Sequence, residues 1–335
     1  MDSNIIATNQ TTAKRRIGYI DALRGFTMIL VVCFHILPNS PYTDFFQLFR
    51  MPLFFFISGF ILYKDEHIWS ISNSTKFLST KFLVQIIPTA IFLFLNMFIL
   101  SINTISSNLN GYWFTVSLFM FFAIYILCKN LIRNEFISNI LLLACALFLY
   151  IFSYNPWSYN HYPFLNGFIV HPFGFLIFFI IGIITKKYFD KVVRIFNNNI
   201  IMMFIIALMI IGSICFLKGY FVHLEIRLVL SILGIFSFFY FFMKNGGYMD
   251  NSRIGNVLQF IGRRTLDIYL LHFFFIRNSL SWIENFRIES PTLIFIISII
   301  ISLVIIGICL LISKFLRTNP LLGKILFGAK RPDKA

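Results

Sequence analysis

Two residues of the first apolar stretch, Arg24 and His35, have side chains suited to phosphate binding and acid–base chemistry. They are eleven positions apart, so on a helix they point within about 20° of each other and lie about 16 Å apart along the axis. A neutral imidazole accepts the proton of an attacking hydroxyl. A guanidinium binds phosphate oxygens through parallel hydrogen bonds. For His35, the structural alternative is a helix-end histidine that hydrogen-bonds to a neighbour.

Asp21 and Arg50 are charged residues placed to act with this pair. Asp21 lies one turn before Arg24 and would orient the guanidinium through an ion pair, which is also the structural explanation of Arg24. Arg50 lies near the outer end of the second apolar stretch and in a tight hairpin would lie near His35. There it would stabilise negative charge on a reacting carbonyl oxygen. An arginine that extends to the membrane surface explains Arg50 equally well.

Two further groups of residues come from later in the chain. Tyr269 and His272 lie one turn apart and share a helix face, so we expect them to line the same cavity as His35. Glu225, beside His223 and Arg227, begins another apolar stretch. That cluster is interpreted first as an interfacial group of charges and second as a contact to a polar substrate.

The composition places these residues in a membrane protein. The chain is 59% hydrophobic and 12% charged, whereas a soluble domain carries about 25% charged residues. The net charge of +15 suggests nucleic acid, but the basic residues lie between apolar runs, as in membrane proteins. The five cysteines lie within or beside apolar runs without ligand spacing, so no metal site is expected.

Ten stretches are long and apolar enough to cross a bilayer, which takes about 17–25 residues. They are 17–37, 45–63, 82–101, 112–128, 137–153, 168–185, 199–217, 226–243, 266–283 and 292–316. Most basic residues fall on the side that holds the termini, which predicts cytoplasmic termini. The prediction is an all-α, multi-pass bundle of about ten transmembrane helices in the plasma (inner) membrane. It has a cytoplasmic tail 1–16, a membrane domain 17–316 and a basic cytoplasmic tail 317–335.

Two loops carry side chains of interest. The segment 244–265 contains adjacent glycines and ends near Arg263 and Arg264, so it is predicted to be a flexible basic loop. Its arginines fit either membrane anchoring or a phosphate contact. The loop 154–167 is rich in tyrosine and tryptophan, which fits an interfacial aromatic belt or a lip that stacks on sugar rings.

Four blocks of the sequence resemble, in order, those of membrane acyltransferase family 3. The first is Asp21-Ala22-Leu23-Arg24-Gly25 with His35, an Arg-x10-His pattern; the others are residues 53–60, Tyr112-Trp113-Phe114 and Tyr269-Leu270-Leu271-His272. The resemblance extends from about 17 to 316. The sequence of residues 49–55, Phe-x-Met-Pro-Leu-Phe-Phe, resembles that of the fucose-4-O-acetylase-like branch, in which the position of Arg50 is often histidine.

The resemblance implies a fold and an activity. Such a protein would be a bundle of about ten helices that takes an acyl group, usually acetyl, from cytoplasmic acyl-CoA. The group would pass to a hydroxyl of a cell-surface polysaccharide or lipid-linked glycan. Arg24 and His35 would be the essential pair, with Trp113, Tyr269 and His272 in catalytic or acceptor-binding positions. Acetyl-CoA would be a co-substrate, and no bound cofactor is expected.

A second class of function fits the same residues. Arginine and histidine inside a membrane also mark the substrate pathway of a transporter or flippase, here of a glycan or a lipid-linked sugar. The expected partners under both interpretations are the lipid bilayer and a glycan, without nucleic acid. Consumption of a thioester distinguishes the enzyme from the transporter.

Overall fold

The computed structural model describes residues 17–36, 41–64, 69–99, 109–132, 134–154, 171–220, 223–276 and 290–328. Regular structure in these ranges is helical. The helices are α1 (Gly18–Ile36), α2 (Pro41–Gln47), α3 (Arg50–Leu62), α4 (Ile71–Lys81), α5 (Ile87–Ile99), α6 (Trp113–Leu131), α7 (Glu135–Ser153), α8 (His171–Phe173), α9 (Leu176–Lys187), α10 (Phe189–Phe196), α11 (Asn199–Leu217), α12 (Leu224–Lys244), α13 (Gly246–Asn251), α14 (Arg253–Arg263), α15 (Thr265–Leu271), α16 (Pro291–Leu316) and α17 (Pro320–Phe327). A π-helical turn at Phe82–Ile86 joins α4 to α5.

Eight helices within the described ranges are long and apolar enough to cross a membrane. They are Gly18–Ile36, Asp44–Leu62, Ile71–Ile99, Trp113–Leu131, Glu135–Ser153, Asn199–Leu217, Leu224–Lys244 and Thr292–Leu316. The pair His171–Lys187 and Phe189–Phe196, bent by 89°, would make a ninth span. The predicted span 266–283 continues beyond residue 276, outside the described residues. The all-α, multi-pass architecture is confirmed, while the count of ten and the orientation stay predictions.

The third membrane helix begins earlier than the hydropathy pattern indicates. The predicted span starts at residue 82, but the helix starts at Ile71, after Ser70. The Ser70 hydroxyl accepts a hydrogen bond from the backbone N–H of Asn73 at 3.2 Å, which caps the helix. The first three turns are rich in serine, threonine and lysine, so they lack the apolar signal of a span.

The prediction of a flexible loop at 244–265 is wrong, because most of this segment is helical. The helices α13 and α14 occupy it, and the Ser252 hydroxyl caps α14 by accepting a hydrogen bond from the N–H of Gly255 at 2.9 Å. The face of α14 that contains Leu258 and Gly262 lies against α1 in the most extensive helix contact of the described structure, while Ile254, Val257 and Phe260 are exposed. A helix of this kind is too short and too polar to be recognised as a span, yet it packs directly on the helix that carries Arg24 and His35.

Glycines allow α1 and α14 to approach backbone to backbone. A Cβ atom on Gly25 would overlap the carbonyl oxygen of Leu258, and one on Gly262 would overlap the carbonyl oxygen of Asp21. Only a residue without a side chain fits such a contact, and small residues have this role at many membrane helix interfaces. The two glycines therefore fix the position of α14 on α1.

A second reciprocal glycine contact joins α3 to α9. A Cβ atom on Gly59 would overlap the carbonyl oxygen of Phe179, and one on Gly182 would overlap that of Phe56. Around this contact the largest hydrophobic cluster is built mainly from phenylalanine and branched aliphatic side chains. The bundle is thus held by close backbone contacts at two helix pairs and by aromatic packing between them.

We expect Gly262→Ala to lower the free energy of unfolding by about 1–3 kcal/mol, since the new methyl group meets backbone atoms that cannot rotate away. Gly247→Ala is the matched control, because a Cβ atom at Gly247 meets nothing within 4 Å. Thermal unfolding of the purified protein in detergent measures both. Equal melting midpoints for the two variants would contradict the close contact.

Candidate active site

A cavity of about 210 Å³ lies among α1, α3, the π-helical turn, α6 and α15. Arg24 and His35 both line it, so α1 presents these two side chains to one space. Most of the remaining lining is apolar. Its other polar side chains are Ser58, Gln85, Thr115, Thr265 and Tyr269. The structure therefore brings the two residues together as their spacing suggests, while their chemical roles stay predictions.

Arg24 occupies one end of this cavity. Its Nη2 donates to Thr265 Oγ1 at 2.9 Å, and its Nη1 lies 3.9 Å from Asp21 Oδ1. The second distance is too long for a hydrogen bond, so Asp21 acts on the guanidinium through its charge. Thr265, at the start of α15, provides the direct contact that fixes the position of the guanidinium.

A second cavity, of about 410 Å³, meets the first at Arg24. Its basic side chains are those of Arg24, Lys64, Lys186 and Arg263, and we call this set the basic mouth. Four cations around one opening attract anions and raise their local concentration. Arg263 is therefore placed as a phosphate contact would be, whereas the Arg264 guanidinium lies 5.0 Å above the Phe260 ring.

A third cavity, of about 480 Å³, meets the first at Ser58 and is also basic. Lys64, Lys76 and Lys81 line it beside Trp69. The sequence analysis did not select these lysines or Lys186, because lysines that follow an apolar span are usually membrane anchors. Only the fold shows that Lys64 and Lys186 line a cavity together with Arg24.

His35, at the other end of the first cavity, is surrounded by rings. Its ring centroid lies 5.2 Å from that of Phe273, 5.5 Å from that of Phe34 and 5.6 Å from that of His272. His272 is completely buried and is not among the residues that line the first cavity. The structure therefore places it next to His35 but not in the cavity wall beside Tyr269, where the sequence predicts it.

Arg50 is a buried cation close to this end of the cavity. It is 7% exposed, and its Cζ lies 3.0 Å from the ring centroid of Phe34, next to His35 in the chain. Its Nε and Nη1 have no hydrogen-bond partner among the described residues. A buried charge without such partners is destabilising, which favours a role in binding negative charge over that of a surface anchor.

Tyr269 and Trp113 form part of the cavity wall. The Tyr269 hydroxyl donates to the carbonyl oxygen of Gly111 at 2.9 Å and accepts from the N–H of Phe114 at 3.2 Å. These bonds fix the start of α6, where the Trp113 ring packs 5.5 Å from that of Phe175. The hydroxyl proton of Tyr269 is thus already in a hydrogen bond to a backbone carbonyl oxygen.

Glu225 is not brought to this site. Glu225 is exposed at the start of α12 and is not among the cavity's lining residues. Nearby, the Arg227 guanidinium lies 5.2 Å above the Tyr154 ring. This arrangement fits the interfacial interpretation of that cluster. Of the aromatic loop 154–167, residues 155–167 lie outside the described residues.

Gln85 is a cavity residue that the sequence analysis missed. It lies in the π-helical turn, and its Oε1 is buried without a hydrogen-bond partner among the described residues. Turns of this type often occur at functional sites. The available signal was one amide side chain within an otherwise apolar run. This signal marks Gln85 as unusual but does not show which other residues it faces.

A buried ion pair holds α15 in position. Arg317 Nη2 lies 2.8 Å from Asp267 Oδ1, and its Nε lies 3.0 Å from Oδ2. The Ser313 hydroxyl donates to the same carboxylate. The pair joins the segment after α16 to α15, which carries Thr265 and Tyr269 to the cavity.

We expect Arg317→Ala to lower the free energy of unfolding by about 3–5 kcal/mol, since it leaves a buried carboxylate without its cation. Lys187→Ala is the matched control, because Lys187 pairs at 2.8 Å with Glu135, whose side chain is 51% exposed. That loss should be about 1 kcal/mol or less. Denaturant titrations in detergent would compare them, and similar losses would contradict the assignment.

Comparison with known proteins identifies the family of the chain. A family model described as an acyltransferase domain matches residues 17–312, which is nearly the whole chain. No curated protein and no solved structure matches the chain.

Proposed function

We propose that this chain, which belongs to the acyltransferase 3 family, transfers an acyl group, taken here as acetyl, from acyl-CoA to a glycan hydroxyl. The acceptor would be a cell-surface polysaccharide or a lipid-linked glycan at the plasma (inner) membrane. The observation that carries the proposal is the single cavity lined by both Arg24 and His35. The form of residues 49–55 favours the fucose-4-O-acetylase-like branch of the family.

The chemical step uses His35 as general base. Its imidazole takes the proton of the acceptor hydroxyl while that oxygen attacks the thioester carbonyl carbon. When the tetrahedral intermediate collapses, the C–S bond breaks and the sulfur takes the proton back from His35. The products are the acyl ester and free CoA thiol, so the imidazole returns to its starting state.

The donor would enter through the basic mouth, which we propose faces the cytoplasm. Coenzyme A carries its phosphates at one end of a long flexible arm and its thioester at the other. Arg24 and its basic neighbours suit the phosphates, and the first cavity leads from Arg24 to His35. The residue spacing on α1, about 16 Å along the axis, separates phosphate binding from proton transfer.

Arg50 suits the charge that appears during the reaction. Its buried guanidinium lies over the ring of Phe34, the neighbour of His35, and its Nε and Nη1 have no hydrogen-bond partner among the described residues. The thioester carbonyl oxygen becomes negative in the tetrahedral intermediate, and a preorganised donor in a water-poor site stabilises such an oxyanion strongly. We therefore assign Arg50 to the oxyanion.

We expect His35→Gln to lower kcat for acetyl transfer at least about 100-fold, because the general base is lost. His171→Gln is the matched control, since this histidine packs on Tyr154 and Phe175. It should leave kcat within about twofold. The assay follows label from acetyl-CoA into membranes that contain the glycan. Unchanged transfer by a fully inserted His35 variant would remove His35 from the mechanism.

The same assay separates the enzyme from the transporter. Purified protein with labelled acetyl-CoA should consume the thioester and release CoA thiol when glycan-bearing membranes are supplied. A transporter or flippase would move glycan across vesicle membranes without consuming the thioester. Mass spectrometry of surface glycan from cells with and without the protein identifies the modified hydroxyl.

We expect Lys186→Gln to raise KM for acetyl-CoA about threefold to tenfold with little change in kcat, because it removes one phosphate-facing cation from the basic mouth. Lys187→Gln, one residue later, removes a cation that pairs with Glu135 instead, and KM should stay at the wild-type value. The difference should shrink as salt concentration rises. Equal KM values for both variants would exclude donor entry at this mouth.

A further inference from the structure

We propose that His272 is a positioning residue that accepts a hydrogen bond from His35 and so determines which nitrogen of His35 faces the cavity. The inference rests on the proposed function, in which His35 is the base. It is carried by the hydrogen bonds of His272, by its unused ring nitrogen and by its distance from His35.

Backbone carbonyl groups fix the tautomer of His272. Its Nδ1 lies 2.8 Å from the carbonyl oxygen of Tyr269 and 3.1 Å from that of Ile268. A carbonyl oxygen accepts and cannot donate, so the proton of the neutral ring must be on Nδ1. Nε2 then carries a lone pair and is an acceptor.

This acceptor has no partner of its own. Nε2 of His272 is buried and has no hydrogen-bond partner among the described residues, and the residue is 0% exposed. The Phe273 ring, with its centroid 4.0 Å from that of His272, packs on the imidazole and restricts its rotation. A buried polar atom left unpaired in a native structure needs an explanation.

His35 is placed to supply the missing donor. The centroids of the two imidazole rings are 5.6 Å apart, with 49° between the planes. Two imidazoles joined end to end by an N–H···N bond of usual length have centroids about 5 Å apart. The observed separation is slightly longer than this, so a small movement of His35 towards His272 would make the bond, and catalytic hydrogen bonds often tighten when substrate binds.

The bond has a defined consequence for the reaction. When one nitrogen of His35 donates to His272, the other carries the lone pair that accepts the hydroxyl proton. After that transfer, the N–H donated to His272 stabilises the imidazolium, as the orienting member of a catalytic triad does. His272 neither gains nor loses a proton, so the atom balance of the acyl transfer is unchanged.

The test compares two amides at position 272. The amide of His272→Gln reaches about the place of Nε2 and keeps an acceptor towards His35, whereas that of His272→Asn replaces Nδ1 and offers none. We expect His272→Asn to lower kcat about 100-fold with KM for acetyl-CoA unchanged, and His272→Gln to stay within about tenfold of wild type. Labelled acetyl-CoA with glycan-bearing membranes is the assay, and melting midpoints report folding.

The outcomes separate this inference from the proposed function. Folded Asn and Gln variants that are equally active, or equally inactive, would overturn the positioning role while leaving His35 as the base. If the Asn variant does not fold, the Gln variant decides: activity within about tenfold supports the role, and a 100-fold loss at wild-type stability overturns it. A wild-type protein that consumes no acetyl-CoA, or a fully active His35→Gln, refutes the proposed function itself.

Discussion

The close backbone contact between α1 and α14 is the constraint on which the site depends. Gly25 and Gly262 let the two helices meet without side chains between them, and α14 covers one side of α1. The chain then continues into α15, which brings Thr265 to the guanidinium of Arg24. A polar group inside a membrane needs a protein partner because lipid offers none, and this arrangement supplies that partner while leaving the cavity side open.

The sequence was sufficient for the class of fold and for the pair on α1. Long apolar stretches are a strong signal of membrane helices, and helical periodicity put Arg24 and His35 on one stripe. The same signal failed for α4 and α14. Both helices carry several polar residues, so their hydropathy is similar to that of a loop. Hydropathy alone cannot distinguish a short polar helix from a loop.

The composition of the cavity was predictable only in part. Tyr269 and Trp113 were selected through family blocks, and both line the cavity. Gln85 was missed because it is a single polar residue whose neighbours in the cavity come from distant spans. Lys186 was missed because lysines that follow an apolar span are usually membrane anchors. Which spans meet is decided by helix packing, such as the contact of Gly59 with α9. That information lies in complementary surfaces, so no local pattern in the chain reveals it.

The π-helical turn at Phe82–Ile86 shows that the number of residues in a turn, as well as their types, shapes the first cavity. Such a turn contains one residue more than an α-helical turn, so everything after it is rotated by about 100° relative to an uninterrupted helix. Val84 and Gln85 face the cavity from this turn. Deleting one residue would restore a regular helix and rotate Gln85 out of the wall with every other side chain intact. A relative without the extra residue must therefore build this cavity from different positions.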